Sequence, residues 1–201
     1  DLFGPSVSMS EESIQVSSKR FEFISDSSII KNDNFQFDLS SIAKGFAVDS
    51  VSRILLAAGK NNFLIDIGGE IIINGSKHNQ PWAIGIQDPT SMNNSSIINI
   101  FGNDFLAVAT SGEYRNFKYN DDGEMTSHTF NPISKTSIPD KTYSVSVVSR
   151  VSSMEADALA TALNVMGPVK GIKYANEKDL SVMYIMQGKN LIKSNKWNYN
   201  D

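Results

Sequence analysis

Hydrophobic and polar positions alternate over short runs through most of this chain and switch to helical spacing in two places. Ser13-Ile14-Gln15-Val16 and Arg20-Phe21-Glu22-Phe23-Ile24 predict strands with one wet face. From Ser40 onward, Ile42, Phe46, Val51, Ile54 and Leu55 recur every three to five positions. That spacing predicts a helix with this side inward, Ser40 and Ser41 as caps and Gly59 as its stop. Phe63 to Ile67 and Glu70 to Ile73 flank Gly68-Gly69, a pair suited to a tight primed hairpin turn. Strands are further predicted over 82–86, 97–101, 105–109, 143–149 and 181–186. Ser153 to Met166 predicts the second helix, opened by a capping-box pair, Ser152 and Glu155, and stopped by Gly167-Pro168. A short helix follows over Val169 to Asn176, and the polar stretch Asn116 to Met125 predicts a loop. Without a repeat or a linker, the expectation is one α+β domain over 1–201, mostly antiparallel sheet with two main helices.

Composition narrows the function classes. The 201 residues are 40% hydrophobic and 20% charged, enough for a core without staples. Zero Cys excludes a disulfide scaffold and thiolate metal sites, and two His leave no His-rich centre. A net charge of −4, from 18 basic and 22 acidic residues, argues against a nucleic-acid partner. No apolar run approaches the ~20 residues of a membrane span. The chain opens at Asp1 with neither a basic start nor an apolar stretch, so no signal peptide is read.

Four places break local folding rules, as functional sites tend to. At Asp38-Leu39-Ser40-Ser41-Ile42-Ala43-Lys44-Gly45, a helix N-terminus with a nearby ammonium suits a phosphate. Ordinary Ser capping beside a solvated Lys is the alternative. Asp157 and Thr161 stand four apart on one helix face, where a carboxylate and a hydroxyl could hold a hard divalent ion. A plain polar helix edge explains the spacing equally. His128, before Asn131-Pro132, is a candidate general base or phosphate-orienting group, or a structural His; His78 is read as a surface residue. Thr110-Ser111-Gly112-Glu113-Tyr114-Arg115 offers small residues to an approaching ligand, or is a turn. The residues alone thus stop at an α+β domain with a metal-assisted phosphate site as one reading.

Read in order, these segments resemble the ApbE family of FAD:protein FMN transferases. Asp38 to Asp49 is similar to that family's D-L-G-x-I-A-K-G-Y-A-V-D block, and Leu64 to Ile71 to its strand–Gly-Gly–acid segment. Thr110 to Arg115 resembles T-S-G-[DE]-Y-R, His128 to Pro132 resembles H-x-x-D-P, and Ala156 to Leu163 resembles A-D-A-L-A-T-A-L. Asn131 stands where the family has Asp, and Ser40-Ser41 replaces a Gly-containing pair. Leu2-Phe3-Gly4-Pro5 resembles the family's L-W-G-F-G-P, so the domain is expected to be N-terminally shortened.

The resemblance implies metal-dependent transfer of FMN from FAD to a Ser or Thr hydroxyl of a target protein, releasing AMP. It implies Mg²⁺, with Ca²⁺ or Mn²⁺ as alternatives, held by Asp157, Thr161 and the backbone oxygen of Ser41. Asp38 and Lys44 would contact FAD, Phe130 would pack along it, and His128 would be the base. It also implies a bacterial periplasmic or cell-surface location, with a lipid anchor in the precursor, against a cytoplasmic alternative. Competing readings of the same site are a FAD pyrophosphatase yielding FMN and AMP, and a non-catalytic FAD-binding protein. An adhesion-type β domain is disfavoured by the Ala-rich helix. All of this requires the helix start after Leu39 and the middle of the Ala-rich helix to converge.

Overall fold

The computed structural model describes residues 21–32, 34, 36–89, 91, 93, 95–112, 118–119, 125–126, 130–131, 136–137 and 142–199. In chain order the elements are β1 (Phe21–Ser25), β2 (Ser28–Lys31), α1 (Ser40–Ala57), β3 (Phe63–Ile67), β4 (Glu70–Asn74), β5 (Trp82–Gln87) and β6 (Ser96–Gly102). Then come β7 (Leu106–Gly112), β8 (Lys118–Tyr119), β9 (Met125–Thr126), β10 (Phe130–Asn131), β11 (Thr136–Ser137), β12 (Thr142–Ser149), α2 (Ser153–Glu177), β13 (Ser181–Met186) and β14 (Leu191–Lys193). The architecture is α+β. Six strands form one sheet in the order β14-β13-β12-β7-β4-β3, antiparallel at every pairing.

Alternation along the strands divides the core between the two faces of this sheet. On one face Ile73, Val108 and Val148 meet Ile84, Ile86, Ile98 and Ile100 of the β5–β6 hairpin. On the other, Val145 and Val147 pack on Ala156, Ala160 and Leu163 of α2. Ile72 and Ala107 pack there on Val48 of α1, together with Phe63 and Ile65. The two helices thus lie on one face, side by side.

Helix α1 differs from its sequence reading. Its buried residues are Gly45, Val48 and Ser52, whereas Phe46, Val51 and Ile54 are exposed. Small residues face inward because α1 must approach α2 closely: a Cβ on Gly45 would lie 2.6 Å from the Met154 Cα. Its start is also capped differently. The Asp38 carboxylate, two residues before Ser40, accepts from the Ser40 N–H at 2.8 Å. The stop is as expected: Gly59 has φ +73°, and Gly59 and Lys60 return N–H groups to Leu56 and Leu55 at 2.9 Å.

Helix α2 is capped by Ser152, whose hydroxyl accepts from the Glu155 N–H at 3.0 Å. Only half of the capping box forms, because the Glu155 carboxylate accepts from the Ser149 hydroxyl instead of reaching back. The helix breaks at Gly167, where φ is 72° and ψ 169°, ahead of Pro168. Beside that break the Tyr184 hydroxyl, fully buried, donates to the Leu163 carbonyl at 2.6 Å. The stretch read as a loop contains the short pair β8–β9, while β2 and β14 lack any alternation long enough to read.

Two measurements check these contacts. Tyr184→Phe should destabilise the protein by about 1–2 kcal/mol in urea unfolding, since it strands a buried carbonyl. Gly45→Ala should lower stability by about 1–3 kcal/mol through overpacking of α1 against α2.

Candidate active site

The site forms where the first turns of α1 cross α2. Asp157, inside α2 and 4% exposed, turns its carboxylate to α1 and accepts from the Gly45 N–H at 2.9 Å. In an unbroken helix that N–H serves the carbonyl of Ser41. Sharing the donor with Asp157 leaves the Ser41 carbonyl with lone-pair capacity on the same side. The contact is reciprocated further along: the Asp49 carboxylate of α1 accepts from the Ser153 and Met154 N–H groups at 2.8 and 2.9 Å, capping α2.

The β3–β4 hairpin supplies the third side. Gly68 and Gly69 have φ of 65° and 99°, the primed turn their sequence predicts. The turn places Glu70, 1% exposed, against Lys44, whose ammonium lies 2.6 Å from its carboxylate. Lys44 itself is about half exposed, so its charge is held by a buried partner and presented at the surface. Burial raises the carboxyl pKa of both Glu70 and Asp157. Lys44 opposes the shift in each, the Gly45 N–H opposes it at Asp157, and Asp157 adds to it at Glu70. Asp38, exposed, is lowered by the Ser40 N–H and hydroxyl.

Two buried carboxylates against one ammonium leave one negative charge unmatched when both ionise. Such a cluster fits a divalent cation. Among the described residues no three His, Asp or Glu gather to hold one. A cation here would therefore draw on the Asp157 carboxylate, the Ser41 carbonyl, the Thr161 hydroxyl and oxygens from substrate or water. Ser41 and Thr161 are both half-buried, one in the first turn of α1 and the other one turn beyond Asp157.

The remaining predicted residues fall elsewhere. His128 lies outside the described residues. Phe130 lies in β10, paired with β11. Thr110 to Gly112 is neither a turn nor an open loop: it continues β7 and pairs with Ser144 to Ser146 of β12. Gly112 is required there by the strand beside it, since its Cβ would lie 2.6 Å from the Tyr143 carbonyl. His78 is exposed, as expected. Sequence reasoning gave no role to Gly45, Asp49 or Glu70. The signal available was the helical spacing of Ser41, Gly45, Val48 and Ser52, a stripe of small residues.

The model of the ApbE family matches residues 5–185. The chain belongs to the ApbE family. It is 39% identical over 151 residues to a FAD:protein FMN transferase of Vibrio cholerae, covering 75% of this chain and 44% of that protein. To the Haemophilus influenzae FAD:protein FMN transferase it is 36% identical over 155 residues, 76% of this chain and 44% of the other. The chain thus spans less than half the length of these curated relatives. Its fold is similar to the apo Pseudomonas stutzeri flavinyl transferase ApbE, with TM-score 0.77 and 32% identity over 89% of this chain and 55% of that one. The flavin transferase ApbE from Vibrio cholerae gives TM-score 0.76 and 30% identity, covering 96% and 63%. Both are α+β.

The raised carboxyls set a pH dependence. Native Asp157 and Glu70 hold protons more tightly than the unfolded chain does. Their stabilising contribution is therefore full below the ordinary carboxylate range and is lost as pH rises through the raised native values. In chelator, urea midpoints should show Asp157→Asn more stable than the parent at neutral pH, with the two converging as pH falls. A constant difference across that window would contradict the burial of this charge.

Proposed function

We propose that this chain, as one ApbE-like domain over residues 1–201, carries the FMN-transfer site of a FAD:protein FMN transferase. Its acceptor is a Ser or Thr hydroxyl on a target protein. The observation that carries this is the meeting of Lys44, Asp157 and the carbonyl side of Ser41 where α1 crosses α2. Family membership and the names of the relatives support it.

The acceptor oxygen bonds to the phosphorus of the FMN half, the P–O bond of the pyrophosphate to the AMP half breaks, and AMP leaves with that electron pair. The hydroxyl proton passes to His128. Asp157, Thr161 and the Ser41 carbonyl would hold Mg²⁺, which when bound would supply charge neutralisation to the pyrophosphate and the departing AMP. Lys44, steadied by Glu70, opposes the same phosphate charge, acting where negative charge grows during displacement. Asp38 contacts FAD from the helix start, and Phe130 packs along it. Among the described residues no helix is long and apolar enough to cross a membrane. The periplasm or cell surface is the proposed setting.

The test is mass spectrometry of Ser- and Thr-containing peptides incubated with the chain, FAD and Mg²⁺. An FMN adduct with stoichiometric AMP is expected, falling on the order of 10²-fold or more in Asp157→Ala. AMP and free FMN without any adduct would assign a FAD pyrophosphatase instead. Binding without either product would leave a FAD-binding protein. Thermal shifts should show FAD and Mg²⁺ together stabilising more than the sum of each alone.

A further inference from the structure

Among the described residues strand β3 is an edge of the six-stranded sheet and pairs with β4 alone. Across the two-residue Gly68-Gly69 turn, Ile67 pairs with Glu70, Ile65 with Ile72 and Phe63 with Asn74. In an antiparallel hairpin closed this way, those residues exchange the ladder bonds, and the residues between them turn their N–H and C=O groups outward. Leu64 and Asp66 are those residues. The Asp66 side chain is occupied with the Gly69 N–H at 3.0 Å, and among the described residues no backbone partner meets the outward groups of either residue. The strand contains no Lys, no Pro and no bulge, and its one charged side chain, Asp66, is turned to the Gly69 N–H. Leu64 is 38% exposed beside it.

This open ladder runs directly into the site. Gly68 follows β3 without a break, and a Cβ there would lie 3.5 Å from the Lys44 Cδ and 4.0 Å from the Glu70 carboxylate. An alternating row of N–H and C=O groups recognises an extended peptide backbone, which FAD does not offer. A strand laid along Leu64 to Asp66 needs only two or three further residues, at roughly 3.3 Å each, to bring a side chain level with Lys44.

We propose that the open edge of β3 docks the acceptor segment of the target protein by strand addition, feeding its Ser or Thr hydroxyl toward Lys44 and Asp157. This rests on the transferase reading above. Main-chain bonds to Leu64 and Asp66 hold the segment, and Leu64 offers an apolar neighbour to its side chains.

The test uses a pool of short peptides with a fixed central Thr, with FAD and Mg²⁺. Leu64→Pro removes one outward N–H while leaving the bonds to β4 intact. It should raise the acceptor KM on the order of tenfold across the pool while leaving FAD affinity unchanged. Leu64→Val, which keeps the N–H, should stay near the parent. On the unmodified protein, amide exchange should show Leu64 and Asp66 gaining protection when the best-accepting peptide is added. Ile65 and Ile67, already bonded to β4, should not change. Equal KM values for parent and Leu64→Pro, or no gain in protection, would overturn strand docking while leaving the transferase reading intact. Protection of both amides before any peptide is added would assign the edge to another part of the chain or to a second copy, and would also overturn it. Failure of the parent to flavinylate any peptide would sink the transferase reading and the docking with it.

Discussion

The close crossing of α1 over α2 at Gly45 is the constraint on which the rest of the site depends. Without a side chain at that position, the α1 backbone can come near enough for its N–H to reach a carboxylate inside α2. The exchange runs both ways, since Asp49 of α1 takes up two free N–H groups at the start of α2. Each helix thus satisfies polar groups of the other. The pair locks in register, so that Ser41, Lys44 and Asp157 stand at one place. A side chain at Gly45 would separate the helix that carries Ser41 and Lys44 from the one that carries Asp157, with consequences beyond the local packing.

The electrostatics follow from that geometry. Burying Glu70 and Asp157 with a single ammonium is unfavourable in a low-dielectric setting, and both carboxyls respond by holding protons more tightly. The native fold carries this cost because helix–helix and helix–sheet packing supply the stability elsewhere, through Val48, Ala160, Leu163 and the sheet residues beneath them. A divalent ion binding the folded cluster would offset the same cost, coupling ligand binding to stability. Lys44 has a separate part. Glu70 fixes its position from below while leaving its upper side open, the arrangement a phosphate-facing cation requires.

The parts of the fold that were legible had long local signals. Strands β3, β4, β7, β12 and β13 announced themselves as short runs rich in apolar and β-branched residues, and Gly68-Gly69 could hardly be anything but a primed turn. Gly167-Pro168 marked a break that the structure contains. The inward face of α1 was not legible, because the usual rule assigns burial to large apolar residues. Here a close helix crossing selected Gly45 and Ser52, leaving Phe46 and Ile54 outside. Asp157 and Thr161 stood out as poor helix formers sharing a face. Glu70 did not, since a carboxylate after a turn ordinarily points to water and nothing local reveals that Lys44 lies over it. Strands β2 and β14, of four and three residues, owe their form to a neighbouring strand and leave no pattern of their own.

On the proposed transferase reading, sheet edge and helix crossing would impose different kinds of selectivity on the two partners of the reaction. On that reading a phosphate-bearing partner would meet charges on α1, α2 and the Gly-Gly hairpin, elements braced by three separate parts of the core, which would fix its position for displacement at phosphorus. A peptide partner need only be extended to pair with β3, and main-chain pairing aligns it without reading its side chains. Choice among targets would then come from how readily each presents an unpaired strand, and from what lies beside Leu64. Because β3 and the turn that carries Glu70 are one continuous piece of chain, a segment aligned on the first is aligned to the second. The sheet edge left open among the described residues is the edge that leads to the charged cluster.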